Sequence, residues 1–172
     1  NKASVSLEQY RSETGVDPLG GEPGFTPAER AGFRPSLDIN GFRSGYVGAG
    51  IKTIIPAVAE AKLTSRLVSG QDPHRCLCAL EAHLRAHCPG ELSLEIIERG
   101  VGGPALMLNL DSDAVARARK VLRELSGKDP VFIWEGASIP LVASLREVAN
   151  ADALLVGFGL EEDAIHAPNE SF

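Results

Sequence analysis

Small or apolar side chains alternate with polar ones over residues 54–68, IIPAVAEAKLTSRLV. Ala57, Ala59, Ala61, Leu63 and Leu67 fall on one side, and Glu60, Lys62, Thr64 and Arg66 on the other. A strand covered on both faces would be apolar throughout. A period of two therefore predicts a long strand of antiparallel type with one solvated face. Upstream, RPSLDIN (34–40) sets Leu37 and Ile39 against Ser36, Asp38 and Asn40, so a second half-buried strand is expected there. The glycine-rich GFRSGYVGAG (41–50) reads as the turn between them.

After these strands, Asp72-Pro73 suits the start of a helix, because proline fits a first turn whose N–H has no partner. Leu77, Leu80 and Leu84 make its apolar stripe, Pro89-Gly90 ends it, and ELSLEII (91–97) alternates as another strand. Residues 35–99 thus read strand, strand, helix, strand, which predicts a two-layer α+β sandwich on an antiparallel sheet. Residues 1–34 are loop-like, with short helical stretches at 6–14 and 27–33 around the Gly/Pro cluster DPLGGEPG.

The pattern changes after Pro104. Asp111 or Ser112 caps a helix that carries Val115, Ala118, Leu122 and Leu125 and closes at Gly127. VFIW (131–134) and ALLVGFG (153–159) are apolar without alternation, as strands covered on both faces would be, and IPLVASLREVAN (139–150) between them is helical. That order suits part of an α/β sheet, but two strands are too few to make a stable one. The missing strands are expected from residues beyond this chain. Asn rather than Met at position 1 leads to the same expectation, a piece of a longer protein.

Composition narrows the function classes. A formal charge of −6 disfavours a general nucleic-acid binder, which needs an excess of Lys and Arg. No run of 18 apolar residues suits a membrane span, and no leader is visible. Cys76, Cys78 and Cys88 are odd in number and crowd one helix, which argues for a reducing, cytoplasmic setting.

Several groups carry chemistry. His83 and His87, spaced i, i+4 on the helix with His74 and the cysteines, could face a metal jointly. The HExxH glutamate and CxxC spacing of familiar sites are missing, so a polar helix face with small thiols is the plainer reading. GYVGAGIKT (45–53) lacks phosphate-loop spacing and reads as a wide hairpin connection, with Lys52-Thr53 just before a strand. In WEGASIP (134–140), Ser138 stands at an N-cap position, Pro140 in the first helical turn, and Glu135 at a strand's end. Unpaired N–H groups at a helix start attract a carboxylate or phosphate, and Gly136 and Ala137 leave the approach open. Ser138 is then either a cap for its own helix or part of a carboxylate cradle. His166 follows the next apolar run amid Glu161, Glu162, Asp163 and Glu170, as a metal ligand or a structurally satisfied histidine.

Taken in order, RPSLDINGF, GAGIKTIIPA, AKLTSRLV, GVGGPAL (100–106), EGASIP (135–140) and GLEEDAIHAPNE (159–170) resemble one family. It is the two-zinc metallohydrolases that include carnosinase-like dipeptidases, glutamate carboxypeptidase and aminoacylases. The likeness runs from about residue 17 to the end, and its strength lies in the ordered set of motifs. It implies a connecting segment (1–34), a lid or dimerisation domain (35–107) and an incomplete C-terminal part of the catalytic domain (108–172). By the resemblance His166 binds one of two zinc, manganese or cobalt ions, and Glu135 lies beside the metal centre as the catalytic candidate. Ser138, with the backbone of Gly136 and Ala137, would hold the C-terminal carboxylate of a peptide or acyl-amino-acid substrate. Arg66 would meet the same substrate, and Thr53 would reach across a homodimer into the partner's site. Val101 stands where the dipeptidase branch often has histidine, and Ala137 replaces a glycine. The family's H-x-D pair, upstream Glu-Glu pair and H-S-G segment are missing from the sequence, which leaves one metal ligand and an expectation that this chain alone is inactive. The competing expectation is a non-catalytic dimerisation or small-molecule-binding module.

Overall fold

Thr26 and Glu29 cap each other across the first turn of a short helix. Glu29 N–H donates to Thr26 Oγ1 (3.3 Å), and the Glu29 carboxylate accepts from Thr26 N–H (2.8 Å). In the computed structural model, which describes residues 7–17, 22–136, 139–160, 163 and 165–171, this helix is α2 (Pro27–Phe33), preceded by α1 (Leu7–Thr14). It stops at Arg34, whose extended backbone (φ −105°, ψ 141°) is what the following Pro35 requires.

The chain then enters a two-stranded antiparallel sheet of β1 (Ser36–Ser44) and β2 (Ala59–Arg66). The ladder pairs Ser36 with Arg66 and Ile39 with Leu63, then resumes with Gly41 opposite Lys62, so Asn40 is a bulge. The bulge has a clear effect on side chains. An unbroken strand would put Phe42 on the face opposite Leu37 and Ile39. The extra residue returns Phe42 to their side, opposite Ala61, and places Arg43 opposite Glu60, where they form a 2.8 Å ion pair. One face is then apolar and the other carries Ser36, Asp38, Arg43, Glu60, Lys62, Thr64 and Arg66. Gly41–Ser44 are therefore strand and not turn, and the turn begins at Gly45 (φ 70°). β2 is shorter than expected, because residues 54–58 lie outside the ladder and Pro56 has no N–H to give one.

Asp72 caps α3 (Pro73–Ala86) by accepting from Arg75 N–H at 2.7 Å. Leu77, Leu80 and Leu84 are its half-buried stripe, and it ends at His87, ahead of Pro89-Gly90. Residues 91–97 were expected as a strand but carry no ladder. Arg99 instead ties this segment back to α3, its guanidinium forking onto Glu81 at 2.5 and 3.0 Å. That hydrogen bond holds the Glu81 carboxyl below the usual carboxylate range.

Ser112 caps α4 (Asp113–Ser126), and Gly127 closes it in the left-handed conformation (φ 70°), its N–H on Arg123 O at 2.9 Å. The last helix, α5 (Pro140–Ala149), begins on the expected proline. The apolar runs 131–134 and 153–159 are not strands. A strand exists only with a neighbour to receive its hydrogen bonds, and among the described residues none supplies one. Burial is correspondingly slight: among the described residues only Val115 is buried, 4% exposed. The α+β mixture of helices with an antiparallel sheet is as expected. The chain divides into two compact units, one of residues 1–107 with 130–144 and the other of 108–129 with 145–172.

Candidate functional site

Arg66 ends β2 on the polar face of the sheet, paired with Ser36. Its Nη1 donates to the carbonyl oxygen of Gly136 at 3.1 Å. Two of the expected substrate-binding positions, on segments far apart in the chain, are thereby brought together within the first unit.

The 134–136 segment is held there by the last turns of α2. The Trp134 ring lies 5.3 Å from that of Phe33, which in turn meets Phe25 edge-on at 6.2 Å. Arg34 covers Phe25 at 4.4 Å and forks onto Glu22 with two bonds of 2.6 Å. Approach of the two backbones requires glycine on both sides. A Cβ at Gly32 would meet Trp134 Cβ at 2.5 Å, and one at Gly136 would fall on the Ala31 carbonyl oxygen. This anchoring by Ala31, Gly32 and Phe33 was missed in the sequence. Its available signal was Gly32 itself, since glycine inside a helix costs about 1 kcal/mol against alanine and marks a close contact when present.

The other expected positions lie as follows. Glu135 is exposed beside Gly136. Ala137 and Ser138 lie outside the described residues. Thr53 is exposed on the connection between β1 and β2, next to Lys52, whose ammonium stands 5.6 Å above the Tyr46 ring. His166 belongs to the second unit, in a loop shaped by its own carboxylates. Asp163 accepts from Leu160 N–H at 2.7 Å and through its carbonyl from Ser171 N–H at 3.0 Å, and Glu170 accepts from His166 N–H at 3.2 Å. His166 takes a left-handed backbone (φ 64°), a conformation in which histidine is enriched among non-glycine residues.

Two chemical capacities follow. Arg66 spends one of its five N–H donors on Gly136, and the planar fork that remains matches a carboxylate. α5 starts four residues after Gly136, and the unpaired N–H groups of a helix start favour an anion. A dinuclear metal centre is another matter. Among the described residues no three His, Cys, Asp or Glu side chains converge. His166 is a single imidazole, so the residues present do not by themselves fit a two-metal site.

Residues 3–91 match the peptidase dimerisation domain of the M20 peptidases. The chain belongs to the M20 peptidase dimerisation-domain family. It is 25% identical over 172 residues to human Beta-Ala-His dipeptidase, covering 96% of this chain and 33% of that protein. Against the Cys-Gly metallodipeptidase DUG1 of Saccharomyces cerevisiae it is 30% identical over 141 residues, covering 79% and 29%. In three dimensions this M20 chain matches an M20 family metallo-carboxypeptidase from Sulfolobus solfataricus with a TM-score of 0.79 and 29% identity, over 98% of this chain and 38% of that one. It spans about a third of the length of the curated relatives it matches. The family resemblance read from the ordered motifs is thus established, and with it the fold class. By their names these proteins are peptidases, and the yeast and Sulfolobus ones are metallopeptidases.

Proposed function

We propose that this chain is part of a metal-dependent dipeptidase or carboxypeptidase-type hydrolase acting on dipeptides or N-acyl amino acids. In this reading residues 35–107 are the lid through which the enzyme forms a homodimer, and 108–172 are the C-terminal part of its catalytic domain. The observation that carries the reading is the hydrogen bond from Arg66 to Gly136 O, which joins the lid strand to the EGASIP segment. A guanidinium fork on a glycine backbone, with a helix start four residues further along the chain, supplies the groups of a receptor for the terminal carboxylate that every dipeptide and acyl-amino acid carries.

The roles divide accordingly. Arg66, the backbone at Gly136 and Ala137, and the Ser138 hydroxyl bind and orient that carboxylate. Glu135, next to Gly136, faces the reacting end, and Thr53 reaches the partner's site across the dimer. His166 contributes one imidazole to a zinc, manganese or cobalt centre whose other ligands come from residues outside this chain. Such a centre polarises an amide carbonyl and activates water when bound. Three free thiols, Cys76, Cys78 and Cys88, suit a cytoplasmic location.

Replacing Ser138 by alanine in the longer enzyme tests the reading. KM for substrates with a free C-terminal carboxylate rises while kcat is largely kept, as expected when an interaction made equally in ground and transition states is lost. An unchanged KM would leave Ser138 only its role as a helix cap.

A further inference from the structure

The C-terminal end of α3 carries two histidines that the proposed peptidase chemistry does not use. His83 and His87 are one turn apart and both exposed. Their rings stack with centroids 4.1 Å apart and 31° between the planes. The His83 carbonyl oxygen accepts a backbone bond at the helix end, from His87 N–H at 3.1 Å, and also lies 2.8 Å from His87 Nδ1. A carbonyl only accepts, so in the neutral ring Nδ1 carries the proton and Nε2 keeps its lone pair. A ring N–H given to a backbone carbonyl is the device by which metal-binding histidines are oriented and held in one tautomer.

We propose that His83 and His87 form a two-imidazole site for a divalent transition ion of the zinc, nickel and copper class. Imidazole suits these ions, whereas magnesium and calcium want oxygen ligands. Two nitrogens on one tetrahedral zinc, each about 2.0–2.1 Å from the metal, sit roughly 3.3 Å apart. Rings stacked at 4.1 Å with 31° between their planes must leave the stack and turn about χ1 and χ2 to aim both lone pairs at one ion, and exposed side chains are free to do so. Among the described residues no third His, Cys, Asp or Glu side chain joins them. Water therefore completes the coordination, and the ion exchanges readily. Its effect is on α3: bridging positions i and i+4 fastens the last turn, where the helix would otherwise fray. The site lies on α3 and its C-cap residue and stands or falls independently of the peptidase reading.

Calorimetric titration of the 172-residue chain with Zn2+ alone, in a non-chelating buffer, decides the matter. One Zn2+ binds per chain, binding is lost in both H83Q and H87Q and kept in H166Q, and Mg2+ gives no heat. Zinc also raises the thermal midpoint of the helical circular-dichroism signal in the parent chain but not in H87Q, since only a site in the folded helix stabilises it. Both side chains are exposed, so the variants retain the helical spectrum. No binding at millimolar zinc, binding that survives either substitution, or binding lost in H166Q instead would each overturn the site.

Discussion

A methyl group added at Gly136 would land on the carbonyl oxygen of Ala31, and one added at Gly32 would press on Trp134. Backbone atoms cannot step aside as the end of a flexible side chain does, so Gly136→Ala must push the 134–136 segment off α2. Overpacking of this kind costs about 1–3 kcal/mol. Trp134 is the single tryptophan of the chain and reports the event directly. Gly136→Ala is expected to shift its emission to the red and lower its denaturation midpoint. Gly90→Ala, where an added Cβ meets nothing within 4 Å, should leave both unchanged. In the sequence Gly136 reads only as an open approach for a ligand. Its second reason, the contact with Ala31, joins distant segments, and no local pattern encodes such a contact.

Among the elements, legibility follows the range of the interaction that makes each one. Asp72, Ser112 and Gly127 act within one turn of their own helices, so the limits of α3 and α4 are readable from a few residues. The Asn40 bulge also leaves a trace. Phe42 follows Ile39 by three positions where alternation asks for two, and the extra residue restores its face. The runs 91–97, 131–134 and 153–159 have strand composition, but a ladder needs a neighbour, and composition does not say who provides it. What fixes the first of these is an ion pair. The Arg99 hydrogen bond depresses the Glu81 carboxyl in the folded chain, so its stabilisation is present above the ordinary carboxylate range and is lost as pH falls through the lowered value. Hydrogen exchange in residues 91–99 should accelerate relative to the rest of unit 1 on acidification to that range, and added salt should mimic part of the effect. Arg99→Met should exchange fast at neutral pH and lose the dependence. Equal acid response in both would remove the pair from the account.

At the scale of the whole molecule, the sheet's apolar face is uncovered, with Leu37 55%, Ile39 69% and Phe42 72% exposed. Contiguous apolar surface of this kind marks an interaction site, in keeping with the proposed lid of a dimeric enzyme. The candidate site was legible as an ordered set of motifs, and its meeting point at Arg66 and Gly136 only in three dimensions. With one imidazole for the proposed two-metal centre, the purified 172-residue chain given zinc or manganese is expected to hydrolyse no dipeptide, and measurable turnover would refute that. The most direct test of the proposed carboxylate receptor is steady-state kinetics of Arg66→Ala in the longer enzyme, on a dipeptide and on the same dipeptide with its C-terminus amidated. A hydrogen bond to a charged group contributes about 1.5–3 kcal/mol, so KM for the free dipeptide should rise roughly ten-fold or more while that for the amide hardly moves. Equal changes on the two substrates, or none on either, would contradict it.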